Sequence, residues 1–328
     1  MIVAFFLTGL PELFPSVVPI IGKKLALIVL WWVLGRFSFW FMDYFGVLFT
    51  AIINVGLMAY ISYLAAIPAF KDRNKKHVSL AYSMVSIVII QALFFASELK
   101  ILEINSYKIL LLSLILVLVL IFLALRRVSM ESINELLEQE KIDDTFLAKS
   151  FRYNLVIFCL LLYGFVEFFF PNNSTLAYIC FACGASVLAI LNDFILKDNN
   201  ILFKPFVLYI VTTILLTSIG FFFLGFNYLF ELNVTNHFRH FITTGTFGMV
   251  FYVIMIIVST IHTGREIFTN LYLTIGLMLI IISTFIRAFI PYYFEYSMIL
   301  YILSSILWAI PFVIYIKIFF PFLLKPRA

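Results

Sequence analysis

Long stretches of this chain carry almost no charge, and that feature decides what it can fold into. Residues 109–125 read ILLLSLILVLVLIFLAL, and residues 268–285 are nearly as apolar on every face. A helix rises 1.5 Å per residue, so about 20 such residues cross the roughly 30 Å of hydrocarbon in a bilayer. Apolar residues make up 64% of the 328 positions and charged residues only 12%, which excludes a soluble domain with a wetted surface. A transmembrane barrel needs segments of about ten residues with alternating polarity, and these runs do not alternate. The expectation is an all-α polytopic transmembrane helix bundle, taken as a single domain over residues 1–328.

Apolar runs set against charge and Pro/Gly breaks give ten full spans, near 24–42, 44–68, 78–98, 107–125, 153–170, 175–195, 204–230, 240–261, 268–289 and 297–320, after a partial N-terminal hydrophobic segment. That segment, MIVAFFLTGL, lacks the basic start of a cleavable signal and meets Pro11 and Glu12 too soon to span. Short connections such as 171–174 and 263–267 make successive helices antiparallel neighbours. Seventeen lysines and arginines fall in one set of alternate connections, against Lys100, Lys108 and Arg239 in the other. The positive-inside rule puts the seventeen, and with them the C-terminus, in the cytoplasm. The one long loop, 126–152, sets Glu131, Glu135, Glu138 and Glu140 against Ile133, Leu136, Leu137, Phe146 and Leu147 at helical spacing, which predicts an amphipathic helix on the cytoplasmic interface.

The net charge of +5 does not point to nucleic acid, because the basic residues lie beside span ends. No phosphate loop, HExxH string or nucleophile motif assigns a soluble-type enzyme chemistry. An ionisable group is expensive to hold in hydrocarbon, so those within spans are the functional pointers: Arg36, Glu167, Asp193 and Arg287, with His240 and His262 at span ends. The arginines suit either snorkelling to an interface or clamping an anion. His240 and His262 are 22 residues apart, about 33 Å along a continuous helix, so they cannot share a metal ion. Each can offer imidazole to a separate haem or copper centre, or simply bond the backbone at an interface. Gly264 and Arg265 after His262 also fit a helix C-terminal cap. Cys180 and Cys183 are spaced to share a helix face, compatible with Cu(I) but equally with small packing residues, and no disulfide framework is implied.

The string at 240–265, HFITTGTFGMVFYVIMIIVSTIHTGR, resembles the best-marked segment of the NnrS family, with His240, Gly245 and the closing His-Thr-Gly-Arg in register. FLTGLPELFP near the start, WWVLGR ending at Arg36, RNKK at 73–76, FKPF at 203–206, FIRAFIP around Arg287 and the tail from Trp308 to Arg327 are similar to further landmarks in the same order. The resemblance implies a bacterial inner-membrane bundle associated with haem, copper and the response to nitric oxide. It makes His240 and His262 candidate metal ligands, and Arg36, Arg265 and Arg287 candidate cofactor-binding residues. It also implies two further N-terminal spans with a histidine-rich segment, so that the chain reads as N-terminally truncated. Ile257 and Ile261 stand where the family tends to have an arginine and a glycine. The competing reading is a secondary transporter of a small solute without cofactor, with Asp193 and Arg287 lining its path.

Overall fold

A backbone buried in hydrocarbon has no water to bond, so an apolar run satisfies its N–H and C=O groups only by coiling on itself. The computed structural model describes residues 3, 7, 9, 17–72, 78–171, 173–196, 203–265 and 270–325, and among them every regular element is helical. The longer ones, in chain order, are α1 (Gly22–Trp40), α2 (Val47–Lys71), α3 (Val78–Glu98), α4 (Ser106–Gln139), α5 (Ser150–Phe169), α6 (Thr175–Ala189), α7 (Pro205–Leu229), α8 (Phe247–His262), α9 (Leu271–Phe289) and α10 (Ser297–Leu323).

Among the described residues, eight segments rather than the expected ten are helical, long and apolar enough to cross a membrane. Two features explain the difference. The helix α1 packs Lys23, Lys24 and Arg36 into 19 residues and falls outside the eight. α9 and α10 are joined by the tight helical turn Ile290–Tyr296 and count as one segment, Leu271–Leu323.

The chain divides into two compact units, Met1–Ala124 and Leu125–Ala328. In the first, α2 and α3 pack through Ala65, Ala69 and Ala81 with Ile61 and Met84, small side chains that let the two backbones approach. Asn54 of α2 bonds the Thr50 carbonyl and the Ser38 hydroxyl, and a Cβ on Gly35 of α1 would stand 2.8 Å from its Oδ1. Gly35 is therefore where α1 and α2 touch.

In the second unit α6 packs against α5 and α7, and α9 against α10. Ser218 of α7 donates to the Gly184 carbonyl of α6 at 2.8 Å, a bond that needs glycine's bare backbone. Residues 126–152 differ from the expected surface-lying helix. α4 runs through Arg126 and Arg127 to Gln139 without a break, since nothing there interrupts helix formation. Ile133, Leu136 and Leu137 are buried in protein, and Asn134 clips Phe146 by two backbone bonds of 3.1 and 2.8 Å. The helix stops at Lys141, in the left-handed region at φ 56°.

Candidate functional site

Both ends of α5 carry a buried ion pair. At the C-terminal end Tyr163 and Glu167, four residues apart, share a face, and Tyr163 donates to Glu167 Oε1 at 2.6 Å. Tyr228, at the end of α7, donates to the same oxygen at 3.1 Å, and Arg239 closes the group as an ion pair. Arg239 also donates to Asn236 Oδ1 at 2.7 Å. Its backbone is fixed by the turn before it, where Asn227 bonds the Val234 amide and the Thr235 hydroxyl.

Arg239 thereby anchors the next stretch of chain. Its carbonyl accepts from the amides of Ile242 and Thr243, and the chain then opens into a π-helical turn, Phe241–Thr246, before α8 begins. This wide turn leaves backbone oxygens for side chains to fill. Trp308 of α10 donates to the Thr244 carbonyl at 3.1 Å, and Thr246 bonds the Thr217 hydroxyl of α7 at 2.9 Å. Gly245 lies where the turn meets α9, since a Cβ there would stand 2.9 Å from Thr284 Cγ2. Such turns recur at functional sites.

His240 immediately precedes the π turn, half-buried, with the hydroxyls of Thr243 and Thr244 each 3.3 Å from its Nδ1. The ring of His237 lies 6.2 Å away, centroid to centroid, and its Nδ1 is buried without a hydrogen-bond partner among the described residues. Arg287 of α9 and His237 are the electrostatic neighbours of His240. The Arg287 guanidinium rests 4.5 Å above the Tyr301 ring. Beneath them Phe223, Phe238, Phe241, Phe285 and Phe289 pack ring against ring.

Of the residues proposed from sequence, His240 and Arg287 are brought together. Arg265 instead completes a helix cap. Gly264, at φ 70°, donates to the Ile261 carbonyl and Arg265 to that of Thr260, a Schellman pattern, and the guanidinium lies 4.5 Å over Phe322. His262 ends α8, but its side chain lies outside the described residues. Arg36 belongs to the first unit, where it donates to Asn54 at 2.8 Å and lies 5.2 Å over Phe39. Asp193, which the competing transporter reading sets along a solute path, is enclosed by Arg152 and the Lys149 amide. Cys159, Cys180 and Cys183 are free and buried. Among the described residues no three or more His, Cys, Asp or Glu side chains gather as a ready metal site.

Two residues of this candidate site are poorly marked in the sequence. Arg239 reads there as a loop charge, and its partner is 72 positions away. His237 has one local signal, the H-x-x-H spacing to His240.

The family model described as NnrS protein matches residues 1–327, essentially the whole chain. This chain belongs to the NnrS family. No curated protein and no solved structure matches it significantly.

Proposed function

We propose that this chain is an NnrS-like protein of the bacterial inner membrane, associated with haem or copper and acting in the response to nitric oxide or in tolerance of nitrosative stress. The observation that carries the reading is the His237–His240 pair, with one imidazole nitrogen buried and unpartnered among the described residues. A buried polar atom without a partner costs free energy, and neutral imidazole suits both iron and copper. Metal–nitrogen bonds are about 2.0–2.1 Å, so rings at 6.2 Å can turn toward one ion. The residues therefore fit such a group: His237 and His240 would hold copper, or one of them haem iron, with Arg287 placed to meet a carboxylate such as a haem propionate.

When bound, copper held by both imidazoles, or haem iron held by one of them, would supply a position for a small diatomic ligand. The chain's own residues do the rest. Glu167 holds Arg239, Arg239 fixes the start of the π turn, and the turn sets the direction of His240. The phenylalanine cluster keeps water from the inner side of the pair. His262 remains a candidate ligand for a second centre, and Arg36 for an anion within the first unit. With lysines and arginines concentrated in one set of connections, the C-terminus belongs in the cytoplasm.

The test is optical and metal analysis of the protein purified from cells supplied with haem and copper. We expect a Soret band or about one copper per chain, lost in His240→Ala and at least halved in His237→Ala. A parent protein free of both haem and copper, or variants that load as the parent does, overturns the reading. Reporter fusions at the C-terminus check sidedness, and a periplasmic signal reverses it.

A further inference from the structure

The N-terminal end of α5 holds buried polar atoms that take no part in the histidine site. Arg126 and Ser129, three apart on one face of α4, meet Tyr153 of α5 there. Tyr153 is 1% exposed and Ser129 fully buried. The Arg126 Nε, the Ser129 hydroxyl and the Tyr153 hydroxyl are all buried without a hydrogen-bond partner among the described residues. They form one group: Arg126 and Asp193 face the Tyr153 hydroxyl, and the Ser129 hydroxyl stands beside it as its one hydrogen-bonding neighbour among the described residues, without the geometry of a made bond.

The charges around them do not balance. Asp193 has both carboxylate oxygens engaged, one by Arg152 and the other by the Lys149 amide at 3.1 Å. Arg126 donates from Nη2 to the Ser150 hydroxyl at 2.6 Å, a neutral partner. Two guanidinium groups and one carboxylate leave one positive charge uncompensated among the described residues. Arg126 is half-buried, so its charge gains from an opposite partner without requiring one, whereas buried donors such as its Nε and the two hydroxyls are stable only when bonded. One ligand satisfies both needs if it is negative and offers several acceptor atoms.

We propose that Arg126, Ser129 and Tyr153 form a binding site for a phosphate-type oxyanion, either a free ion or the headgroup of an anionic phospholipid. The guanidinium Nε–H and the two hydroxyls donate to its oxygens, as arginine and hydroxyl groups do wherever phosphate is held. The two sources share this chemistry and differ in how they arrive.

The full chain, purified in detergent and freed of phosphate, is titrated with inorganic phosphate at constant ionic strength while its Tm is followed. In parallel it is reconstituted into phosphatidylcholine vesicles with and without phosphatidylglycerol. A ligand that binds only the folded state raises Tm saturably, here by about 2–4 °C. Tyr153→Phe removes a single hydroxyl, and Ser129→Ala gives a second route should that variant fold poorly. A rise with phosphate that is at least halved in either variant supports a free-ion site. A rise with phosphatidylglycerol alone, lost in the variants, supports a headgroup site. No rise in either arm, or variants that respond as the parent does, overturns the proposal and leaves water as the partner of these atoms.

Discussion

The two ends of α5 solve the same problem differently. Arg152 and Glu167 are fifteen residues, about 22 Å, apart on this helix, and each enters a buried ion pair. At the Glu167 end one carboxylate oxygen collects Tyr163, Tyr228 and Arg239. At the Arg152 end the carboxylate of Asp193 is equally engaged, yet Arg126, Ser129 and Tyr153 beside it keep atoms without partners among the described residues. A closed network of this kind supports structure, whereas spare buried donors next to a closed pair invite a ligand.

The largest effect belongs to the closed end. Glu167→Ala strands a guanidinium whose side chain is only 13% exposed, and should cost about 3–5 kcal/mol of stability in thermal or SDS unfolding. A loss below about 1 kcal/mol would mean that Arg239 finds water and that the network is not closed. Replacing both partners, Glu167→Leu with Arg239→Leu, should recover most of that loss, because two apolar side chains need no partner.

Asp193→Asn keeps an acceptor for the Lys149 amide and removes the charge facing Arg152. With the arginine side chain 23% exposed and able to reach water, the expected cost is smaller, about 1–3 kcal/mol. Should it equal that of Glu167→Ala, the two ends are energetically alike and the contrast fails.

The smallest effects separate the ends by sign. Tyr228→Phe removes a made hydrogen bond and should destabilise by about 1 kcal/mol. Tyr153→Phe removes an unmade one, so in phosphate-free conditions it should be neutral or stabilising. Equal destabilisation by both, read from the same unfolding curves, would show that Tyr153 is already satisfied.

Much of the fold is legible in the sequence, because a membrane leaves a bare backbone few choices. Uncharged length alone places α3, α5 and α7 within a few residues, and the start but not the end of α4. The cap at Gly264 is legible too, since a glycine after a helix followed by a basic residue is a local signal. The site is less legible because its bonds are not local. Glu167 stands out as an ionisable residue in a span, but nothing near Arg239 in sequence names a partner 72 positions earlier. The count of spans differs where local composition misleads, at the charged helix α1 and at Ile290–Tyr296, where a helical turn replaces the expected loop. Nor does hydrophobic periodicity distinguish a π turn from an α turn over six residues such as FITTGT.

That short widening sets the azimuth of everything beyond it. A wide turn accommodates about one residue more than an α-helix would over the same rise, and one residue is worth about 100° of rotation. His240 and Ser259, the residue by which α8 meets Tyr315, are nineteen positions apart, which on a regular α-helix sets them about 100° out of phase, and the residue taken up by the wide turn brings them back onto one face. Keeping all six residues of FITTGT but winding them as a regular α-helix would swing His240 about 100° off the face of Ser259, while leaving the length of apolar chain almost unchanged.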